Sequence, residues 1–139
     1  AILALDADAH VTEHACELLV ALAEEGWVDG AIARGVVRRY LDESHAASPD
    51  TIILGCTHFP LLADTIREVA GDSARIVDSA GTTAAVVRAT LDATGTRRES
   101  GDPGTLRLLA TDGARRFARV GGRFLGHAMG HEDVELVDL

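Results

Sequence analysis

Apolar positions along the chain fall into short blocks whose period keeps changing. Thr51-Ile52-Ile53-Leu54 is a continuous apolar run between Ser48-Pro49-Asp50 and Gly55, the pattern of a strand buried on both faces of a parallel sheet. Arg75-Ile76-Val77-Asp78, residues 106–110 and residues 134–138 read as further strands, and residues 10–15 as a short one ending at Cys16. Between them the spacing turns helical. Residues 18–24 form a short apolar helix that Gly26 stops. Ile32, Val36, Val37 and Tyr40 line one side of a longer helix behind Asp29, a candidate cap, with Arg34, Arg38 and Arg39 elsewhere on its surface. Pro60 suits the first turn of a helix through Leu61, Leu62, Ile66 and Val69, which Gly71 closes. Residues 82–93 form another, and a last one runs from a cap at Asp112 to about Phe124. Residues 1–5 read as the tail of a helix and 95–104 as the most loop-like segment. Strand and helix in alternation imply an α/β fold with a parallel sheet and right-handed crossovers.

Composition narrows the function classes. Apolar residues make up 47% and aromatic ones 4%, so the core rests on Ala, Val, Leu and Ile, with Trp27 and Tyr40 expected inside it. The formal net charge of -9 argues against nucleic acid. The basic clusters Arg38-Arg39, Arg97-Arg98 and Arg115-Arg116 are short and read as solvated surface. No apolar stretch approaches the roughly 20 residues that span a bilayer. Two cysteines, Cys16 and Cys56, make no disulfide framework, which favours a cytoplasmic setting. The histidines His10, His14, His45, His127 and His131 lack ligand spacing, and one Cys-x-His pair supplies only two metal ligands. No metal is therefore expected.

The informative stretch is Ile53 to Leu62, ILGCTHFPLL. A strand ends at Gly55, and Cys56 follows at the strand's carboxyl end, where open α/β sheets place their ligands. A helix beginning within a few residues would favour an anion at its N-terminus, either a thiolate or a substrate carboxylate. Thr57 adds a hydroxyl and a backbone N–H, and His58 an imidazole that can give or take a proton. These residues suit acid–base or nucleophilic work by a thiolate on a small anionic substrate. A buried structural cysteine with a polar histidine beside it is the alternative that residue types leave open.

The stretch Gly55-Cys56-Thr57-His58-Phe59-Pro60-Leu61-Leu62 resembles the signature Gly-Cys-Thr-His-(Tyr or Phe)-Pro-Leu-Leu of the glutamate racemases. Residues 15–27, ACELLVALAEEGW, resemble that family's Ala-Cys-Pro-Leu run, and Val77-Asp78-Ser79-Ala80 its Ile-Asp-Ser-Gly. Phe124-Leu125-Gly126 and residues 134–139 resemble its ending. The order and spacing agree, so the resemblance covers essentially the whole chain. Glu17 and Ala21 stand where the family has prolines, and Ala80 where it has glycine. The family's N-terminal half carries an Asp-Ser-Gly and a Cys-Asn-Thr motif, and a chain without asparagine lacks the latter. The chain is therefore expected to be a C-terminal half, a fragment or one part of a split protein.

The resemblance implies a parallel-sheet, three-layer (Rossmann-like) racemase fold, incomplete, with segments of two pseudo-symmetric domains. Residues 1–76 would belong to the domain carrying the Gly-Cys-Thr-His motif, and residues 77–139 would return to pack on the N-terminal domain. It implies cofactor-independent interconversion of L- and D-glutamate by two facing cysteines, supplying D-glutamate for peptidoglycan. Cys56 would be the catalytic thiol acting on L-glutamate. Thr57 and His58 would hold the substrate, His58 would also tune the thiol, and Glu24 would assist. Cys16 would be structural. By itself the chain is expected to be inactive, and the resemblance leaves room for a homodimeric parent. Competing expectations are a superfamily member acting on aspartate, hydantoins or maleate, and an anion-binding module without turnover.

Overall fold

The computed structural model describes residues 1–44, 49–99, 101 and 104–138. His45 and Ser48 lie outside the described residues, as do Ser100, Asp102 and Pro103 of the expected loop. The chain divides into two units, Ala1–Ala80 and Gly81–Leu139.

In the first unit, a short helix α1 (Ile2–Leu5) precedes α2 (Glu17–Glu25) and α3 (Gly30–Glu43). The period of α2 puts Leu19, Leu22 and Ala23 on its buried side. Gly26 ends it at φ 78, the left-handed conformation that glycine adopts without a Cβ penalty. Its N–H reaches back to the carbonyls of Leu22 and Ala23. Helix α3 buries Ala33 and Val37. Asp29 occupies its cap position, but its side chain makes no capping hydrogen bond.

Strands β1 (Thr51–Leu54) and β2 (Arg75–Asp78) pair in parallel, with Ile52 opposite Ile76 and Leu54 opposite Asp78. Between them lie a 3-10 turn (Phe59–Leu62) and α4 (Ala63–Ala70). Pro60 thus opens a tighter turn, and the α-helix itself starts only at Ala63. Leu19, Leu22, Ala33, Val37, Leu54, Leu62 and Ile66 form one core, with Ile52 and Ile76 packed against it. Thr65, buried on α4, donates its hydroxyl to the Val28 carbonyl at 2.6 Å and so ties α4 to the link between α2 and α3. The expectation that β1 is buried on both faces is corrected. Strand side chains alternate, and Ile53, on the side opposite Leu54, is 56% exposed.

Two further expectations fail in this unit. Residues 10–15 form no strand. The segment is rich in polar side chains, and among the described residues no neighbouring strand offers it a ladder. It is held instead by the side chain of His14, whose ring meets Tyr40 edge-on at 5.7 Å and whose Nε2 lies 4.0 Å from Glu43. Trp27 is 55% exposed rather than buried. The turn at Gly26 sends the next residue but one, Val28, against the core and leaves Trp27 outside.

The second unit contains α5 (Ser79–Thr94, beginning at the end of the first), β3 (Leu108–Ala110), α6 (Ala114–Leu125) and β4 (Val134–Leu136). Strands β3 and β4 pair in parallel, Leu108 opposite Val134. Arg107 grips Glu135 with two hydrogen bonds of 2.7 and 2.8 Å beside that ladder. Helix α6 is capped by Gly113 at φ 58 and not by Asp112, because the chain enters the helix through a left-handed turn. It buries Ala118, whereas α5 buries none of its residues. The result is a mixed α/β arrangement whose described sheets have two parallel strands each.

Candidate active site

Gly55, Cys56, Thr57 and His58 link β1 to the 3-10 turn, at the carboxyl end of the parallel pair. The loop is tightly wound: the Phe59 N–H bonds the Cys56 carbonyl at 3.2 Å and the Leu61 N–H bonds that of His58 at 3.1 Å. Leu54 before it and Leu62 after it are both buried, which anchors the loop at each end. Neither anchor leaves Cys56 in the core; its thiol is half-buried and free.

Around this loop the structure gathers the four residues that the sequence singled out. The Cys56 Sγ lies 3.9 Å from His58 Nδ1. The Thr57 hydroxyl lies 3.4 Å from the same nitrogen. On the other side of the ring, His58 Nε2 is 3.6 Å from Glu24 Oε1, a carboxylate brought up by the last turn of α2. Both side chains of that pair are about three-quarters covered, at 26% exposure each. A carboxylate at Nε2 favours the tautomer with its proton there, leaving the Nδ1 lone pair for the thiol and hydroxyl. Chemically, the row carboxylate, imidazole, thiol can take a proton from sulfur and hold it.

One expectation about this site changes. Cys56 was expected beside the N-terminus of an α-helix, whose dipole would stabilise a thiolate. The four-residue 3-10 turn intervenes, and the first turn of α4 carries Asp64. The neighbouring imidazole is the partner that the structure supplies. The chain's net negative charge lies entirely in the first unit, so an anion would have to be held by local donors against the field of the unit.

The other titratable groups are placed elsewhere. Cys16 precedes α2, and its thiol contacts the His14 carbonyl at 3.6 Å. Burial pushes its pKa up. His14 Nε2 is 4.0 Å from Glu43, and His131 pairs with its neighbour Glu132 at 3.2 Å. Among the described residues, no group of three or more His, Cys, Asp or Glu is placed to hold a metal ion, and no helix is long and apolar enough to cross a membrane. Sequence reasoning did not anticipate that Thr57 and Cys56 share one nitrogen of His58, although their adjacency was the signal for it.

Parallel strands with a thiol at their carboxyl end, backed by imidazole and carboxylate, define the class: an α/β fold that presents thiol, imidazole and carboxylate side by side at a strand's end. No protein-family model matches the chain, but individual proteins do. The glutamate racemase of Geobacter metallireducens is 40% identical over 139 residues, covering 100% of this chain and 51% of the relative. That of Syntrophus aciditrophicus is 38% identical over 137 residues, covering 98% and 51%. Among solved structures, a glutamate racemase of Bacillus anthracis superposes with a TM-score of 0.79 at 31% identity, covering 99% of this chain and 50% of that one. The Francisella tularensis glutamate racemase in complex with D-glutamate gives 0.79 at 28% identity, with the same coverage. The chain is thus similar along its whole length to one half, the C-terminal half, of the glutamate racemases, and it spans about half the length of the curated relatives it matches.

Proposed function

We propose that this chain carries one of the two proton-transferring thiols of a glutamate racemase, and that the thiol is Cys56. The observation that supports this most directly is the row Glu24, His58, Cys56 at a strand's carboxyl end, in a chain whose relatives are glutamate racemases. Cys56 gives its proton to His58 Nδ1, and the resulting thiolate removes the α-proton of L-glutamate. Glu24 holds the imidazole in the required tautomer and offsets the charge of the imidazolium. The Thr57 hydroxyl and backbone N–H hold the substrate's carboxylate, which the charge of the His58 imidazolium also attracts. Inversion then needs a proton delivered to the opposite face, which one group cannot readily serve. That second thiol comes from the complementary half, on which residues 77–139 pack. No pyridoxal phosphate or metal takes part. In this role the parent is a cytoplasmic enzyme supplying D-glutamate for peptidoglycan.

The test joins this chain to the N-terminal half of the Geobacter metallireducens relative and follows glutamate in heavy water. We expect deuterium at the α-carbon and interconversion in both directions. Cys56→Ala should lower both by about 10²- to 10⁴-fold, the usual share of a positioned acid–base group, while Cys16→Ala leaves them within a few-fold. The chain alone should show no net inversion. Undiminished exchange in Cys56→Ala would sink the assignment, and full turnover by the chain alone would require another second base.

A further inference from the structure

His58 Nδ1 has one lone pair in the tautomer favoured by Glu24, and two donors reach for it. Cys56 Sγ is 3.9 Å away and Thr57 Oγ1 is 3.4 Å away. A hydroxyl is the stronger donor and here the nearer one, whereas S–H is a weak donor. We propose that Thr57 is a substrate-operated gate on the Cys56 thiol. With the site empty, the Thr57 hydroxyl occupies the Nδ1 lone pair, and Cys56 keeps its proton. When a carboxylate arrives, the Thr57 O–H rotates about its Cβ–Oγ bond and donates to that carboxylate instead. The vacated lone pair takes the proton of Cys56: the S–H bond breaks, an N–H bond forms, and the thiolate and imidazolium stand side by side, with Nε2–H against Glu24. The base is thus generated only with substrate in place, which protects an otherwise reactive thiolate from oxidation in the empty site.

The inference rests on the reading of Cys56 as the proton-transferring thiol, but its test needs no turnover. In the full chain with Cys16→Ser, iodoacetamide alkylation of Cys56 is timed by peptide mass spectrometry at neutral pH. Thr57→Val keeps the side chain's shape and removes the hydroxyl, whereas Thr57→Ser keeps the hydroxyl. The gate predicts that Thr57→Val alkylates about fivefold faster than the parent, the equivalent of one neutral hydrogen bond withdrawn from competition. Thr57→Ser should match the parent. Glutarate, a dicarboxylate without an α-proton to lose, should speed alkylation of the Thr57→Ser protein in proportion to its occupancy at low concentration and leave Thr57→Val unmoved. A purely substrate-holding threonine would leave the anion-free rate unchanged in Thr57→Val. Equal or slower alkylation in that variant overturns the gate, whatever the racemase assay shows.

Discussion

The two units use the same ingredients with opposite results. Each contains a parallel pair of short strands and a strongly amphipathic helix, α4 in the first and α6 in the second. In the first, four elements bring Leu22, Val37, Leu62 and Ile66 into one closed core. In the second, the buried apolar residues among those described are Ala118 and Val134. Helix α6 sets Arg115, Arg116, Arg119 and Arg123 on one side and Phe117 and Phe124 on the other, yet both phenylalanines remain over a third exposed. On α5, Val86 and Val87 are at least half exposed. Amphipathicity states which face of an element favours burial, not whether this chain supplies the surface that buries it. All four candidate site residues lie in the unit whose core is closed, and preorganised chemistry requires such a scaffold.

The largest effect that can sharpen this contrast comes from matched truncations. Leu62 has no exposed surface and sits directly after the candidate site. Leu62→Ala should cost about 2–5 kcal/mol through lost burial and the cavity left behind. Val86 is 65% exposed, and Val86→Ala should stay within about 0.5 kcal/mol. Native-state hydrogen exchange read separately over α2 to α4 and over α5 measures both, because it reports the stability of each region rather than one global value. A Val86→Ala cost comparable to that of Leu62→Ala would show that the second unit has a core the exposures do not reveal.

The same contrast explains how far the sequence could be read. Strands β1 and β2, the stop at Gly26 and the Gly-Cys-Thr-His loop were legible because local chemistry dictates each of them: β-branched runs, a left-handed glycine, a loop after a strand. Residues 10–15 misled because strand propensity is half a condition, and a ladder needs a neighbour. Trp27 misled because composition says what can be buried, while the turn at Gly26 decides which of two adjacent residues goes in. At Asp112-Gly113 the better capping side chain was visible, but the left-handed backbone entering α6 was not. The 3-10 turn at Phe59–Leu62 escaped because Pro60 suits the first turn of either helix type. Glu24 beside His58 was accessible only through resemblance, since nothing local links the end of α2 to the loop after β1. The distances within that row come from the structure alone.

A smaller effect probes how the first turn of α2 is attached to α3. The Tyr40 hydroxyl accepts the Leu18 N–H at 3.1 Å, one of the donors that a helix N-terminus cannot satisfy within itself. Tyr40→Phe retains the ring against His14 and removes only this acceptor. The expected loss is about 0.5–1.5 kcal/mol, near the low end because Leu18 is exposed and water can replace the bond. Exchange at the first amides of α2 should accelerate by the corresponding factor while α4 stays protected. Uniform acceleration across α2 to α4 would mean that this hydrogen bond supports the whole unit, whose core Tyr40 packs against, and not the start of α2 alone.

The smallest effect concerns Cys16 and its dependence on pH. Burial raises the pKa of this thiol above the ordinary value of 9.0, since removal from water disfavours the charged thiolate. The folded chain therefore holds the proton at a pH where the unfolded chain has begun to release it. Between the ordinary thiol value and the raised one, the unfolded state binds fewer protons, so stability falls as pH rises through that window. Well below 9.0 the contribution is fully present and independent of pH. Cys16→Ser removes the titration, so the difference in urea midpoint between the parent and this variant should be flat up to about pH 8, the lower edge of ordinary thiol titration, and shift against the parent above it. Because Cys16 is only half-buried, the shift should be small. Alkylation gives the second reading: at mildly alkaline pH Cys16 should react more slowly than the thiol of a short unstructured peptide. Reaction as fast as the peptide's would mean that the segment before α2 opens readily, and that the contact with the His14 carbonyl does not hold the thiol in place.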